Sequence, residues 1–387
     1  MNEFIVTDYG VKADLPSLQT EALQKIFDLC PGTVVFPAGT YRTGGLLIRS
    51  DTTILLKSGA VLVGSDERTD YPVFPVPEGV ELRTDMEMIT GYYTQGPWKE
   101  YRRAILSAYG EKNVSIIGEE GSLIDGSDCY DPDGEEGFRG PHGIFLTNCE
   151  NVVLRGYTIR SCGNFMHQVD NCKNLLMENV KNIAGHDGIH LHCCVHTEIR
   201  DCVFETGDDC IAGINIEDLH VVNCSLNTSC NLFRIGGKGI LVENCRMKGP
   251  GIYPHRMTVV RGKNDVLPQN EGRHNTLFLI DYFSSITHPM DEPSHDIVFR
   301  NCEIDTIETL LHYEFDWNVL QVGTPLAELT FENVKFTGLN IPMVINPTKQ
   351  EFPLRMIFRN CTVSFRENAA DPRLVNGTVP NLEIVNE

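Results

Sequence analysis

A short apolar strand that ends in Asn or Asp, followed by Cys or Val, returns along this chain about every 22 residues. Successive copies are Asn174-Leu175-Leu176-Met177-Glu178-Asn179-Val180, Thr197-Glu198-Ile199-Arg200-Asp201-Cys202, His220-Val221-Val222-Asn223-Cys224 and Ile240-Leu241-Val242-Glu243-Asn244-Cys245. The markers Asn179, Asp201, Asn223 and Asn244 are separated by 22, 22 and 21 residues. Later markers at Asn301, Asn333 and Asn360 are spaced more widely, which implies loops inserted into coils. A repeat of this length built from short β-branched strands fits one coil of a parallel β-helix. Helical repeats are longer and carry a 3.6-residue period, and leucine-rich repeats need regular leucines, which are absent.

The reading is therefore all-β: a single right-handed parallel β-helix over residues 1–387, with residues 1–65 as N-terminal cap and first coils. Solenoids tolerate such a length because each coil touches only its neighbours. Apolar residues from Leu18 to Leu29 recur at helical spacing before Cys30-Pro31-Gly32. They predict a short helix that plugs the open end, where a bare strand edge would invite pairing. Loops 66–104 and 250–295 are expected to wall a cleft, with Tyr92, Tyr93, Trp98 and Tyr101 as candidate walls, and 128–142 also reads as loop.

Coils stack about 4.8 Å apart, so residues one period apart become vertical neighbours. Buried Asn side chains would then hydrogen-bond up the stack. Most of the 14 cysteines sit beside Asn or Asp, as in Asn223-Cys224 and Asn244-Cys245. They read as small apolar fillers inside the coil, in keeping with a reducing compartment. The N-terminus has no basic start and no apolar signal core, so a cytoplasmic protein is expected, or a secreted one if a leader has been removed. A formal net charge of −21 argues against nucleic acid and anionic membranes as partners. It also weighs against a long polyanionic substrate unless the cleft is locally basic. Nothing in the sequence reads on oligomeric state.

One period separates Asp187, in Gly185-His186-Asp187-Gly188, from Asp209, in Gly207-Asp208-Asp209-Cys210. A further period reaches Asn231, so Asp187, Asp209 and Asn231 form a vertical row with Asp208 beside it. A second row holds His190, Ala212 and Arg234, and His167 is expected above His190. An Asp that merely starts a turn explains one per coil, but not Asp208-Asp209 stacked on Asp187. Like charges this close leave one carboxyl protonated near neutral pH, which sets an acid beside a base. Inverting glycoside hydrolysis needs that pair, with a water in a gap of roughly 6.5–9.5 Å.

These motifs resemble glycoside hydrolase family 28, the polygalacturonase-like β-helix enzymes. Thr7-Asp8-Tyr9-Gly10, Val35-Phe36-Pro37-Ala38-Gly39-Thr40-Tyr41, Leu55 to Gly64 and Ile124-Asp125-Gly126 look like that family's opening coils. Its paired Asp motif is intact as Gly207-Asp208-Asp209-Cys210-Ile211-Ala212. The resemblance implies Asp208 as general acid, with Asp187 and Asp209 holding and activating the water. It also implies an oligo- or polysaccharide substrate and no metal or cofactor. Two departures stand out. The family's Gly-His-Gly is replaced by Cys230-Asn231-Leu232. Its Arg-Ile-Lys, which grips the substrate carboxylate, falls at His255-Arg256-Met257-Thr258, with Arg but no Lys. The expected substrate is therefore something other than plain polygalacturonate. Candidate sugar contacts are Arg234, His190, His167, Asn231, His255 and Arg256.

Three rivals stay open on the sequence. His186, His190, His192 and His196 with Cys193 and Cys194 could suggest zinc, but they cannot all face one ion. A polysaccharide lyase or uronate epimerase would use an Arg or Lys base. A tailspike-like solenoid would bind sugar without cutting it.

Overall fold

The computed structural model describes residues 2–82, 101–255, 273–285, 288–316, 320–346, 353–364, 370–376 and 381–387, with the backbone of 259–260 and 265–266. Tyr92, Tyr93 and Trp98 lie outside the described residues. Strand follows strand in parallel, each pairing with the strand one coil before and after. A 21-stranded and an 11-stranded sheet run the length of the molecule. This is the right-handed parallel β-helix expected from the period. One face of the coil is built by strands such as His142–Thr147, His167–Asp170 and Ile189–His192. The second carries Glu150–Arg155, Lys173–Glu178 and Val195–Arg200, and the third Thr158–Arg160, Lys181–Ile183 and Val203–Thr206.

The recurring Asn is a corner residue, and here the structure corrects the sequence reading. Asn179, Asp201, Asn223 and Asn244 all take φ between 52° and 56°. Asn and Asp tolerate this left-handed conformation better than other non-glycine residues, so each coil can turn there without glycine. The side chains do bond up the stack: Asn223 Nδ2 donates to Asp201 Oδ1 at 3.3 Å and Asn333 Nδ2 to Asn301 Oδ1 at 3.0 Å. They do so on the exposed rim, however, not inside the coil. The Cys that follows turns inward. Cys202, Cys224, Cys245 and Cys302 are buried in the core cluster, and all fourteen cysteines are free thiols.

At the N-terminal end, helix Thr20–Phe27 buries Leu23, Ile26 and Phe27 against the first coils. It is shorter than predicted: Leu18 and Leu29 fall outside it and are exposed. Toward the C-terminal end, Phe299, Phe331 and Phe358 stack one above another, with centroids 5.5 and 5.0 Å apart. The chain leaves the ladder after Arg246–Lys248 and rejoins it at Phe278–Tyr282.

Candidate active site

Strand register fixes the acidic row. Ile189 pairs with Ile211 and Ile211 with Phe233, so the residues two before them, Asp187, Asp209 and Asn231, lie above one another. Backbone bonds continue the ladder through these positions, Gly188 N to Asp209 O at 2.9 Å and Cys210 N to Asn231 O at 3.0 Å. Asp208 arrives from the preceding turn, where its carbonyl accepts the hydroxyls of Thr206, at 2.7 Å, and Thr228. Asp187, Asp208 and Asp209 each bring an oxygen within 4.8 Å of the others, and all three are buried. That is tighter than the gap of roughly 6.5–9.5 Å expected for an intervening water.

Gly188 makes the stack possible. A Cβ there would lie 2.5 Å from the Phe204 ring and 2.6 Å from the Cys210 carbonyl. Gly188→Ala must therefore push the strand that carries Asp187. Overpacking of this kind costs about 1–3 kcal/mol, and a shift of about 1 Å in a reacting group can cost 10²-fold in rate. A lowered melting temperature together with a kcat reduced at least tenfold is the expected result.

Each carboxylate has its own electrostatic surroundings. Asp208 is bonded by Arg139, Nη2 to Oδ2 at 2.7 Å, and both side chains are 3% exposed. His255 Nδ1 lies 3.8 Å from Asp208. Asp209 accepts Asn231 Nδ2 at 2.8 Å, and Arg234 Nη1 stands 3.8 Å away. Asp187 has the His190 ring at 4.0 Å, and burial holds that imidazole well below its usual range, hence neutral. Burial first, then Asp208 and Asp209, push the Asp187 carboxyl well above the ordinary aspartate range, against a weaker pull from Arg139 and Arg234.

A pH dependence follows. Native Asp187 keeps its proton after the unfolded chain has released it, so the native state binds more protons in that window. Its contribution to stability is present below the ordinary aspartate range and is lost as pH rises through the raised value. Denaturant unfolding should show stability falling with pH across this window in wild type, with the slope flattened in Asp187→Asn. An unchanged slope would contradict the protonated state.

Of the other predicted residues, the structure brings Arg234, His190, Asn231 and His255 to the cluster. His190, Ala212 and Arg234 are in register as expected, and Asp281 and His312 continue that row. His167 is a correction. It pairs with Ile189, and Gln168 is the residue above His190. The 23-residue coil lies one turn earlier, between Ile144 and His167, so the following coil has 22. His167 consequently points into the core, hydrogen-bonded to Tyr157 Oη and facing the Gly188 carbonyl, both at 2.9 Å, and burial lowers its pKa to about 4. A ring enclosed there cannot touch a sugar in the groove. Arg256 lies outside the described residues.

Sequence reasoning missed Arg139 and Asp281. Arg139 lies in the aperiodic 128–142 segment, where Glu136 at 3.0 Å and Asn164 at 3.3 Å hold it as it reaches Asp208. Asp281 receives Arg234 Nε at 3.5 Å, Gln321 at 3.1 Å and His312 at 2.7 Å. Extending the Arg234 row would have found it had the length of the insertion been known. Tyr101, His142, Phe165 and His190 form an aromatic wall beside the cluster, with ring centroids 4.7 Å apart for Tyr101–His142 and 4.6 Å for Phe165–His190. Tyr101 comes to it from loop 66–104.

The histidines and cysteines of the zinc reading do not converge. His186 packs on Phe138, and His196 pairs with Asp218 at the surface. Two other sets, Asp208 with Cys230 and His255, and the three aspartates, have donor atoms within 4.8 Å of one another. In both sets Arg139 already supplies a cation to Asp208.

A β-helix carrying such a carboxylate cluster under an aromatic wall defines a solenoid built for sugar chemistry. A sequence model of Glycosyl hydrolases family 28 matches residues 75–241, the stretch that holds all three aspartates. An exo-poly-alpha-D-galacturonosidase of Dickeya chrysanthemi is 26% identical over 432 aligned residues, 93% of this chain and 67% of that enzyme. A probable polygalacturonase of Vitis vinifera is 25% identical over 54% of this chain and 43% of that protein. The hyperthermoactive exopolygalacturonase from Thermotoga maritima shares the fold, with a TM-score of 0.67 and 14% identity over 99% of this chain and 92% of that one. The chain is thus similar to glycoside hydrolase family 28 over the stretch that carries its three aspartates, and it is a glycoside hydrolase.

Proposed function

We propose that the protein hydrolyses terminal galacturonide bonds in short pectic oligosaccharides. The observation that carries this reading is the convergence of Asp187, Asp208 and Asp209 in one buried cluster, with a guanidinium beside Asp208 and another beside Asp209. A neutral carboxyl gives its proton to the glycosidic oxygen as the bond to the anomeric carbon breaks. A carboxylate takes a proton from the attacking water. The near-complete burial of the three aspartates fits a closed pocket that admits a chain end, and the name of the Dickeya relative supports exo action. Arg234 stays 21% exposed, lies over the Phe283 ring at 5.1 Å, and suits a sugar carboxylate. The family resemblance supports inversion, which requires the entering sugar to part the tight cluster enough to seat a water.

A lyase is disfavoured by the same geometry. Each guanidinium beside the cluster faces carboxylates that hold it in its charged form, which removes the neutral base a lyase needs. The fourteen free thiols support a reducing compartment, and we propose the same location for the protein.

The test is incubation with oligogalacturonides, resolving products by chromatography and following the released anomer by NMR. Monomeric galacturonate with inverted configuration is expected. A product absorbing in the ultraviolet, or equal cleavage of neutral galactan, would overturn the reading. Loss of a charge-assisted hydrogen bond is worth about 1.5–3 kcal/mol. Arg234→Ala should accordingly raise KM for galacturonides by roughly one to two orders of magnitude, with a smaller change in kcat.

A further inference from the structure

We infer that Asp281 is a positioning residue: it aims Arg234 at the carboxylate of the terminal sugar, and His312 and Gln321 hold it in place to do so. The inference rests on the proposed function, in which Arg234 receives that carboxylate. Arg234 and Asp281 are register partners on neighbouring coils, and His312 follows one coil further in the same row. A long arginine side chain loses much rotamer freedom when a ligand fixes it, so a guanidinium held beforehand binds better. Arg234 Nε is buried and makes no hydrogen bond among the described residues. Charge and stacking hold that side of the group instead. Asp281 Oδ2 lies 3.5 Å from Nε, and the Phe283 ring lies 5.1 Å from the guanidinium carbon. Phe283 is itself fixed, stacked on His190 at 13° between planes. The opposite edge, Nη1, looks toward Asp209 at 3.8 Å.

Asp281 is locked from behind. Its Oδ1 accepts His312 Nδ1 at 2.7 Å and Gln321 Nε2 at 3.1 Å, which leaves Oδ2 turned to Arg234. Gln321 is 1% exposed, and its Oε1 accepts the Glu314 amide at 2.5 Å. The His312 ring stacks on Phe278 with centroids 4.7 Å apart, and its Nε2 stands 3.3 Å from Glu314. The charges form a chain: Asp209, Arg234, Asp281, His312 and Glu314, each facing the next. Asp281 thus divides its charge between two basic groups. A carboxylate so placed also screens Arg234 from an incoming anion, and the two roles predict opposite effects of removing it. Positioning wins here, because Nε has no other anchor and because His312 already offsets part of the Asp281 charge.

A double-mutant cycle on oligogalacturonide tests this. Asp281→Asn keeps the shape of the side chain and removes its charge. It should raise KM roughly three- to tenfold, the scale on which a residue acts through a neighbour, and change kcat by less than about twofold. In the Arg234→Ala background the same substitution should add nothing to KM, because its route to the sugar has gone. A structural role alone would lower the melting temperature and add equally in both backgrounds. A fall in KM, or an undiminished rise in the Arg234→Ala background, overturns the inference. Should Asp281→Asn fail to fold, Gln321→Met removes one donor from Asp281 and should give a smaller rise with the same dependence on Arg234, and no rise overturns the inference. If Arg234→Ala itself leaves KM unchanged, the carboxylate role of Arg234 fails, and positioning is judged without substrate. Crystal structures of wild type and Asp281→Asn should then show the guanidinium displaced from the Phe283 ring in the variant. A guanidinium that stays in place overturns the inference.

Discussion

Asp209→Asn is expected to lower kcat on oligogalacturonide by roughly 10²–10⁴-fold, the usual contribution of a positioned general acid or base. The substitution keeps the shape of the side chain and its place between Asp187 and Asn231 in the stack. It removes the charge that faces Arg234 while keeping an amide oxygen to accept Asn231 Nδ2, which lies 2.8 Å from Asp209 Oδ1. KM should change far less than kcat, because the lost interaction belongs to the water and not to the sugar. Initial rates by a reducing-sugar assay check this, with circular dichroism to show that the coils persist. A variant with more than a tenth of wild-type kcat would place the water elsewhere.

Arg139→Ala is expected to destabilise the fold by about 3–5 kcal/mol, the cost of leaving a buried charge without its partner. The Arg139–Asp208 pair is almost fully enclosed, whereas Arg234 keeps contact with solvent, so Arg234→Ala should cost clearly less. In a solenoid each coil is held by its neighbours, and the loss should appear first in the coils that carry Asp187 and Asp208. Hydrogen exchange resolved by peptide, alongside urea unfolding, would show whether protection falls there before it falls at the Phe299–Phe331–Phe358 stack. A uniform loss, or one below about 1 kcal/mol, would mean that Asp208 takes up a proton or gains water at little cost. In that case lowering the pH should narrow the gap between variant and wild type.

Legibility from the sequence followed the ladder. The row Asp187–Asp209–Asn231 and the row His190–Ala212–Arg234 were readable because their coils have equal length and parallel pairing carries that equality into space. His167 was misplaced for the same reason in reverse. A single extra residue moves every side chain of a strand to the opposite face, and the sequence did not say on which side of His167 it lay. The structure puts it before, so Gln168 faces outward and His167 is enclosed beside Tyr157. The Asn corners show a subtler limit. Their recurrence was plain, but burial and left-handed turning both predict recurrence, and φ near 55° on an exposed rim distinguishes them.

The sequence by itself determined the winding, the faces of the coil and the stacking of the acidic pair on Asp187, since a fixed period and a fixed strand spacing leave one arrangement. Tertiary structure decided how that charge is balanced. Arg139 reaches Asp208 from 69 residues away through a segment with no period, and Asp281 meets Arg234 only after a long insertion closes. Loop paths are set by packing that no repeat encodes. The partners of each carboxyl, and hence the site of the proton, depend on the folded chain.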